Sequence, residues 1–328
     1  MTRKGVSLKD MNIRLIRIWT IVLCLAMVGC VLASCDTNHA ESSDSIITFN
    51  DALGRTVSLQ KEPERVAALI GSFADVWVLS GGTVCATADD AWDDFGLELP
   101  DAVNIGGAHS PNLELLLSAD PDFVIASAST SSNVEMKEIL EAAGITVAYF
   151  DVDNFYDYMD MLAIFTDITG RKDLFEQHGL ALQKQIEQIK AEFAESPLSD
   201  EERTVLLLRA HSGSVKAKGS EGTILGEMLA DLGCINIADS DTALLDAISI
   251  ESIIRQEPHH IFVVTMGNDT EKAMRNLHQM MDENPAWGIL DAVTEGRIYV
   301  MDRKLFNIKP NARWAESYET LSQLLLCE

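Results

Sequence analysis

Cys35 is the residue whose surroundings most invite covalent chemistry. It follows Leu32-Ala33-Ser34, which close an apolar run beginning at Ile18, and that run is preceded by Arg3, Lys4, Lys9, Arg14 and Arg17. A basic start, a short apolar stretch and small residues make the three-part layout of a secretory signal, too short for a membrane span of roughly 20 residues. Beyond Cys35 the catalytic constellations are missing: there is no G-x-S-x-G elbow, no G-x-x-x-x-G-K-[ST] loop, no H-E-x-x-H and no C-x-x-C. Lys216-Ala217-Lys218-Gly219-Ser220-Glu221-Gly222 resembles a phosphate loop superficially, but its glycine order is wrong, and it reads as a glycine-rich turn ahead of a helix at Ile224. Cys85, Cys234 and Cys327 are an odd number and cannot pair fully; Cys85 and Cys234, among apolar neighbours, read as small buried residues.

Small residues before a cysteine in this setting resemble the lipobox of bacterial lipoproteins, whose cysteine becomes the acylated first residue of the mature chain. Cys30 competes, but Met27 stands where a branched aliphatic residue is preferred, so Cys35 is the expected lipidation site. Two or more acyl chains, at about 0.8 kcal/mol per buried CH2, hold a protein at a bilayer. Residues 1–34 are then the signal and 35–45 a polar, anchored tether (Asp36-Thr37-Asn38-His39 and onward). The signal holds five of the 25 basic and one of the 51 acidic side chains, so the mature 294 residues keep 20 bases against 50 acids, near −30. That surface repels phosphate backbones and anionic headgroups, which excludes nucleic acid as a partner.

The elements that would position a site come from an internal repeat. Residues 112–126 (NLELLLSADPDFVIA) are echoed 137 positions later by 249–263 (SIESIIRQEPHHIFV). Each is a short amphipathic helix, a proline stop and a continuous apolar run, the pattern of a strand buried on both faces of a parallel sheet. A second echo pairs Ala143-Gly144-Ile145-Thr146-Val147 with Glu295-Gly296-Arg297-Ile298-Tyr299, where a glycine ends a helix before a strand. Strands are predicted at 65–70, 84–88, 123–127, 146–150, 204–209, 261–265 and 298–301. Helices are predicted at 74–79, 113–119, 134–143, 224–232, 250–256, 271–283 and 313–326. Alternation of this kind implies α/β lobes with right-handed crossovers. The helix-favouring stretch 172–195 predicts one long connecting helix. The expected fold is therefore two Rossmann-like lobes, 46–170 and 197–328, joined by a backbone helix over 171–196, with a ligand cleft at the strand carboxyl ends.

Several segments carry a resemblance over nearly the whole chain: the lipobox, Phe49-Asn50-Asp51-Ala52-Leu53-Gly54-Arg55-Thr56-Val57, Pro121-Asp122-Phe123-Val124-Ile125, Ala142-Ala143-Gly144-Ile145-Thr146-Val147, and Leu305-Phe306-Asn307-Ile308-Lys309-Pro310-Asn311-Ala312-Arg313-Trp314. Together they resemble the helical-backbone (class III) substrate-binding proteins of ABC importers for ferric siderophores, haem and cobalamin. The resemblance implies a non-enzymatic receptor with modest closure on its ligand and no resident cofactor. It also implies an extracytoplasmic protein anchored to the cell membrane, whether periplasmic or on the cell surface, which delivers to a permease dimer with its ATPase subunits. Members dock through one acidic side chain on each lobe, and the matching positions here are Glu114 and Glu251. The plainer reading is that each acid favours its helix dipole by about 0.3–1 kcal/mol.

For the ligand, the predicted post-strand loops offer Phe73, Trp92 and His109 from the first lobe. The second lobe offers Arg209, His211, Met266-Gly267-Asn268 and the Lys304–Trp314 segment with Asn311, Arg313 and Trp314. A ferric siderophore, rich in anionic oxygen, suits the planar fork of arginine at Arg209 and Arg313, unless those pair with the abundant acids. Phe73, Trp92 and Trp314 are candidate aromatic walls, with core packing the alternative for Trp314. Haem would need an axial ligand from His109, His211 or Met266. His259-His260 are discounted because adjacent strand residues face opposite ways. Too few loop histidines are present for a bare transition metal. A sensory or interaction lipoprotein on the same fold is the alternative of another class.

Overall fold

A computed structural model describes residues 46–267 and 269–327. The lipidation site Cys35, the signal, the tether and Asn268 lie outside the described residues. The chain opens with an antiparallel hairpin, β1 (Ile46–Asn50) and β2 (Thr56–Gln60), with Ile46 opposite Gln60. Its turn is pinned by the buried Asp51 carboxylate, which accepts hydrogen bonds from the Leu53 and Arg55 amides at 3.0 Å and from Arg55 Nε at 3.0 Å. Burial works against this charge, yet the Arg55 guanidinium and the amides hold the carboxyl below its ordinary range. Arg55 in turn reaches the Val147 carbonyl at 2.9 Å, so the hairpin is fastened to the first lobe.

The first lobe is a parallel sheet of β3 (Val66–Ala68), β4 (Ala86–Thr87), β5 (Val103–Asn104), β6 (Phe123–Ser127) and β7 (Thr146–Phe150), in the order β5-β4-β3-β6-β7. The second places β8 (Thr204–His211), β9 (Ser214–Lys218), β10 (Ile235–Asn236), β11 (His260–Met266) and β12 (Ile298–Val300) in the order β10-β8-β11-β12, with β9 antiparallel to β8. The principal helices are α1 (Gly71–Leu79), α2 (Leu113–Ser118), α3 (Phe155–Ile168), α4 (Ala181–Ala194), α5 (Ile224–Asp231), α6 (Ile250–Gln256) and α7 (Trp314–Leu326).

The repeat is built into the coordinates residue by residue. Asn112 caps α2 by accepting from the Leu115 amide, and its counterpart Ser249 caps α6 by accepting from the Ser252 amide. Before each proline stands a residue with left-handed backbone, Asp120 at φ 51° and Glu257 at φ 46°. The strands that follow, β6 and β11, lie inside their sheets. Gly144 and Gly296, at φ 78° and 76°, then lead into β7 and β12, which pair with those inner strands. Both glycines take a conformation that a side chain would disfavour.

Between the lobes, Lys172–Phe175, a π-helical turn Glu176–Leu180 and α4 form one helical run. At about 1.5 Å per residue it is some 35 Å long. The π turn leaves the His178 carbonyl to accept the Tyr158 hydroxyl at 2.9 Å. One apolar core runs through both lobes and this helix, from Trp77, Phe123 and Phe165 through Ile186 and Phe193 to Leu207, Phe262, Trp314 and Tyr318.

Several expectations need correction. The predicted helix 134–143 is two helices, Ser131–Glu135 and Lys137–Ala142, broken at Met136. The supposed glycine-rich turn at Lys216 is strand β9 as far as Lys218, and only then a turn capped by Thr223, which accepts from the Gly226 amide. The short strands β5 and β10 were not predicted; two residues carry no readable period.

Candidate functional site

Segments after strand carboxyl ends meet across the lobe boundary. Asp94, beyond β4, forms an ion pair with Arg303, beyond β12. Asn311 donates from Nδ2 to the Ser72 carbonyl at 2.9 Å and to Asp75 Oδ2 at 2.8 Å, at the start of α1. Lys309 is half-buried near Asp151 and Asp153 of the first lobe and Arg209 of the second; burial lowers its pKa, and the two aspartates oppose that shift.

The predicted ligand residues divide sharply. Phe73 is 1 % exposed and packs edge-on to Phe150, because its helix turns that face onto the sheet. Trp314 is fully buried against Phe155 and Tyr158. Asn311, 1 % exposed with φ 51°, ties two segments together. None of these three presents a surface to a ligand. Arg313 is satisfied by Glu316 through two bonds of 2.7 Å, three residues away on the same helix face. It lines a groove of about 630 Å³ between α4 and α7, with Leu182, Ile189 and Glu319, away from the strand ends. Trp92 is half-buried against the core beside Asp89 and Asp90, and His109 is exposed on the loop after β5.

Arg209, His211 and Met266 do come together. Strand pairing sets Arg209 opposite Val264 and His211 opposite Met266, and paired residues share a sheet face. A Cβ placed on Gly267 would lie 3.5 Å from His211 Nε2, so the β11 end runs against that ring. The Arg209 guanidinium is half-buried, its Nε lacks any acceptor among the described residues, and burial pushes its pKa down. On the adjoining β9, Lys216 lies opposite Arg209 and Lys218 opposite Leu207, so both lysines share that face. Burial and the neighbouring Arg209 lower the Lys218 pKa. In the sequence, Lys216 and Lys218 stand out only within a superficial phosphate loop and Lys309 only within the Lys304–Trp314 segment, none of the three as a ligand residue. The available signal was the i, i+2 spacing of the two lysines, legible only once the segment is known to be a strand.

The first-lobe rim is acidic and hydroxylic. Asp90 accepts from the Gly71 amide at 2.9 Å, and burial with Asp94 and Asp89 nearby raises it to about 6. Ser127, Ser129 and Thr130 link their hydroxyls at 3.1 Å, over a buried Asn133 that accepts from the Ser127 amide and donates to the Ala108 carbonyl. Asn133 thereby joins the loops after β5 and β6. Glu114 and Glu251 are exposed in the first turns of α2 and α6, and neither forms an ion pair among the described residues. No group of three metal-ligating side chains occurs among the described residues.

Residues 66–305 match the family model described as periplasmic binding protein. The chain is 29 % identical over 307 residues to the Fe(3+)-citrate-binding protein YfmC of Bacillus subtilis, covering 88 % of this chain and 90 % of the relative. It is 24 % identical over 317 residues to YvrC, an ABC transporter substrate-binding lipoprotein of the same organism, covering 93 % and 95 %. The crystal structure of Staphylococcus aureus SirA with staphyloferrin B superposes with a TM-score of 0.64 at 20 % identity, over 84 % of this chain and 96 % of that one. The chain belongs to the periplasmic binding protein family, as a two-lobed, helical-backbone solute receptor rather than an enzyme.

Proposed function

We propose that this chain is the lipid-anchored, extracytoplasmic receptor of an ABC importer, that it captures a ferric siderophore or related iron chelate between its lobes, and that it hands the chelate to a permease dimer. The observation that carries this reading is the convergence of post-strand segments from both lobes on one boundary, where Lys309 lies near Asp151 and Asp153 on one side and Arg209 on the other. The likeness to an Fe(3+)-citrate-binding protein supports iron as the cargo, and the likeness to a lipoprotein supports anchoring through Cys35. Delivery needs contact with the permease. The matched helix starts carrying Glu114 and Glu251 supply equivalent acids, one per lobe, suited to a two-fold partner. No bond is made or broken; binding energy and a small lobe motion perform the work.

Haem is the second reading, favoured by His211 and Met266 meeting at paired strand ends. The test is uptake of iron by cells carrying Glu114→Lys with Glu251→Lys. Uptake falls to the level of a receptor deletion while the isolated protein binds its chelate as before; a parallel loss of binding would remove these residues from the docking role.

A further inference from the structure

The cations on the second lobe's face are unexplained by the fold. Half-buried arginines elsewhere have an acidic or hydrogen-bonding partner: Arg55 has Asp51, Arg203 has Ser196 and the Phe193 ring, Arg297 has Glu295 and the His259 carbonyl, and Arg303 has Asp94, although its Nε is left without an acceptor among the described residues. Arg209 has no hydrogen-bond acceptor or ion-pair partner among the described residues, although the mature chain holds 50 acids against 20 bases. Nor do Lys216 or Lys218 form an ion pair among the described residues, and Lys309 makes none either, though Asp151 and Asp153 lie near enough to favour its charge. An uncompensated, partly desolvated guanidinium is unfavourable, and beside two lysines it is more so. In a protein this acidic, unpaired cations held together on one sheet face call for an anionic partner from outside the chain.

Resting on the receptor reading above, we infer that Arg209, Lys216, Lys218 and Lys309 form an anion-reading wall, and that the chelate is net-negative, its iron held by carboxylate oxygens rather than by uncharged hydroxamates, a porphyrin or a corrin. A carboxylate meets the planar fork of Arg209 through two parallel bonds, which a hydroxamate chelate without free acids does not offer. The strand pairing spaces the wall: Arg209 and Lys216 are directly opposite, with Cβ atoms about 5 Å apart, close enough for two carboxylates of one small ligand. At its own strand end, after β6, the first lobe carries the hydroxyls of Ser127, Ser129 and Thr130 as further donors. Asp94 is already engaged by Arg303, and Asp90 by the Gly71 amide.

The test is equilibrium dialysis of the full chain in detergent micelles against ferric citrate, ferrioxamine B, haemin and cyanocobalamin, read by metal content. Ferric citrate is retained at least about 30-fold more tightly than the other three. Arg209→Gln weakens ferric citrate on the order of 30-fold, the scale of losing one buried charge partner. Lys216→Glu, on an exposed side chain that leaves the thermal melt unchanged, weakens it several-fold. Preference for ferrioxamine B, haemin or cyanocobalamin overturns the inference while leaving a chelate receptor in place. Ferric citrate binding unaltered by both variants overturns it too, and retention of none of the four removes the receptor reading along with it.

Discussion

The two lobes begin from one plan and part company after their first strand. Ile125 of β6 pairs with Ala68 of β3, and its repeat counterpart Phe262 of β11 pairs with Leu207 of β8. Two residues beyond these equivalents stand Ile70 and Arg209. In the first lobe, Ile70 is buried and the chain passes directly into α1. In the second, β8 runs on to His211, folds back as β9, and only then enters α5. That extra strand carries Lys216 and Lys218 and leaves Arg209 facing them. What the lobes share is scaffold: caps, left-handed residues before proline, inner strands and the exposed Glu114 and Glu251. What differs is the charge of the rim, aspartates and hydroxyls on one side and cations on the other. A duplicated lobe thus supplies symmetry, and a local insertion supplies chemistry.

The comparison can be broken most forcefully at the hairpin, which has no counterpart in the second lobe. Asp51→Ala leaves Arg55 and the turn amides without their acceptor and is expected to destabilise the protein by about 3–5 kcal/mol in urea unfolding followed by tryptophan fluorescence. A loss below about 1 kcal/mol would mean the hairpin merely decorates the first lobe. Because the folded carboxyl lies below its ordinary pKa, its stabilisation is present above about 4, and is lost as pH falls through the folded value. The variant should lose that part of the acid dependence.

Asn311→Ala tests the boundary itself. It removes two donated hydrogen bonds and puts a Cβ-bearing residue without amide at φ 51°, for an expected cost of about 2–3 kcal/mol. Asp75, whose carboxyl burial already raises, then loses a partner, so the melting temperature falls further at neutral than at acid pH. An unchanged pH profile would separate Asn311 from Asp75.

The smallest effect sharpens the repeat. Phe123 of β6 corresponds to His260 of β11, a 1 % exposed imidazole with no hydrogen-bond partner among the described residues, ring centroids 6.0 Å from Phe262 and 5.9 Å from Tyr299. Burial pulls its pKa from 6.5 down to about 4. Between those values the unfolded chain binds a proton that the folded chain does not, so stability falls as pH drops from 6.5 toward 4. His260→Phe, which writes the first lobe's residue into the second, should remove most of that acid loss, on the order of 2 kcal/mol, measured as melting temperature against pH. A profile as steep as the parent's would assign the acid loss elsewhere.

Much of the fold is legible in the sequence. The alternation of apolar runs and amphipathic helices, the proline stops and the glycines 144 and 296 stated the α/β lobes, and the repeat set Glu114 and Glu251 at matching positions. Arg209 is legible as a strand residue, although β8 runs two residues past its predicted end, to His211. The fate of Arg209 is not, because whether an arginine finds one of many acids depends on which are within reach. Arg313 pairs with Glu316, and Arg209 has no partner among the described residues. Phe73 and Trp314 are candidate walls in the sequence, with core packing the alternative for Trp314, and both are core in the structure, since aromatic residues at helix starts serve either purpose and only packing decides.

What the sequence by itself determined are the features set by neighbours along the chain: periodicity, caps, stops, the duplicated helix-strand unit and the acidic balance. What only the tertiary structure decided is which charges meet. Lys216, Lys218, Arg209 and Lys309 are as much as 100 positions apart and become one wall through strand pairing and lobe contact. Coulombic and desolvation energies depend on distance and burial in space, and neither is written in the order of residues.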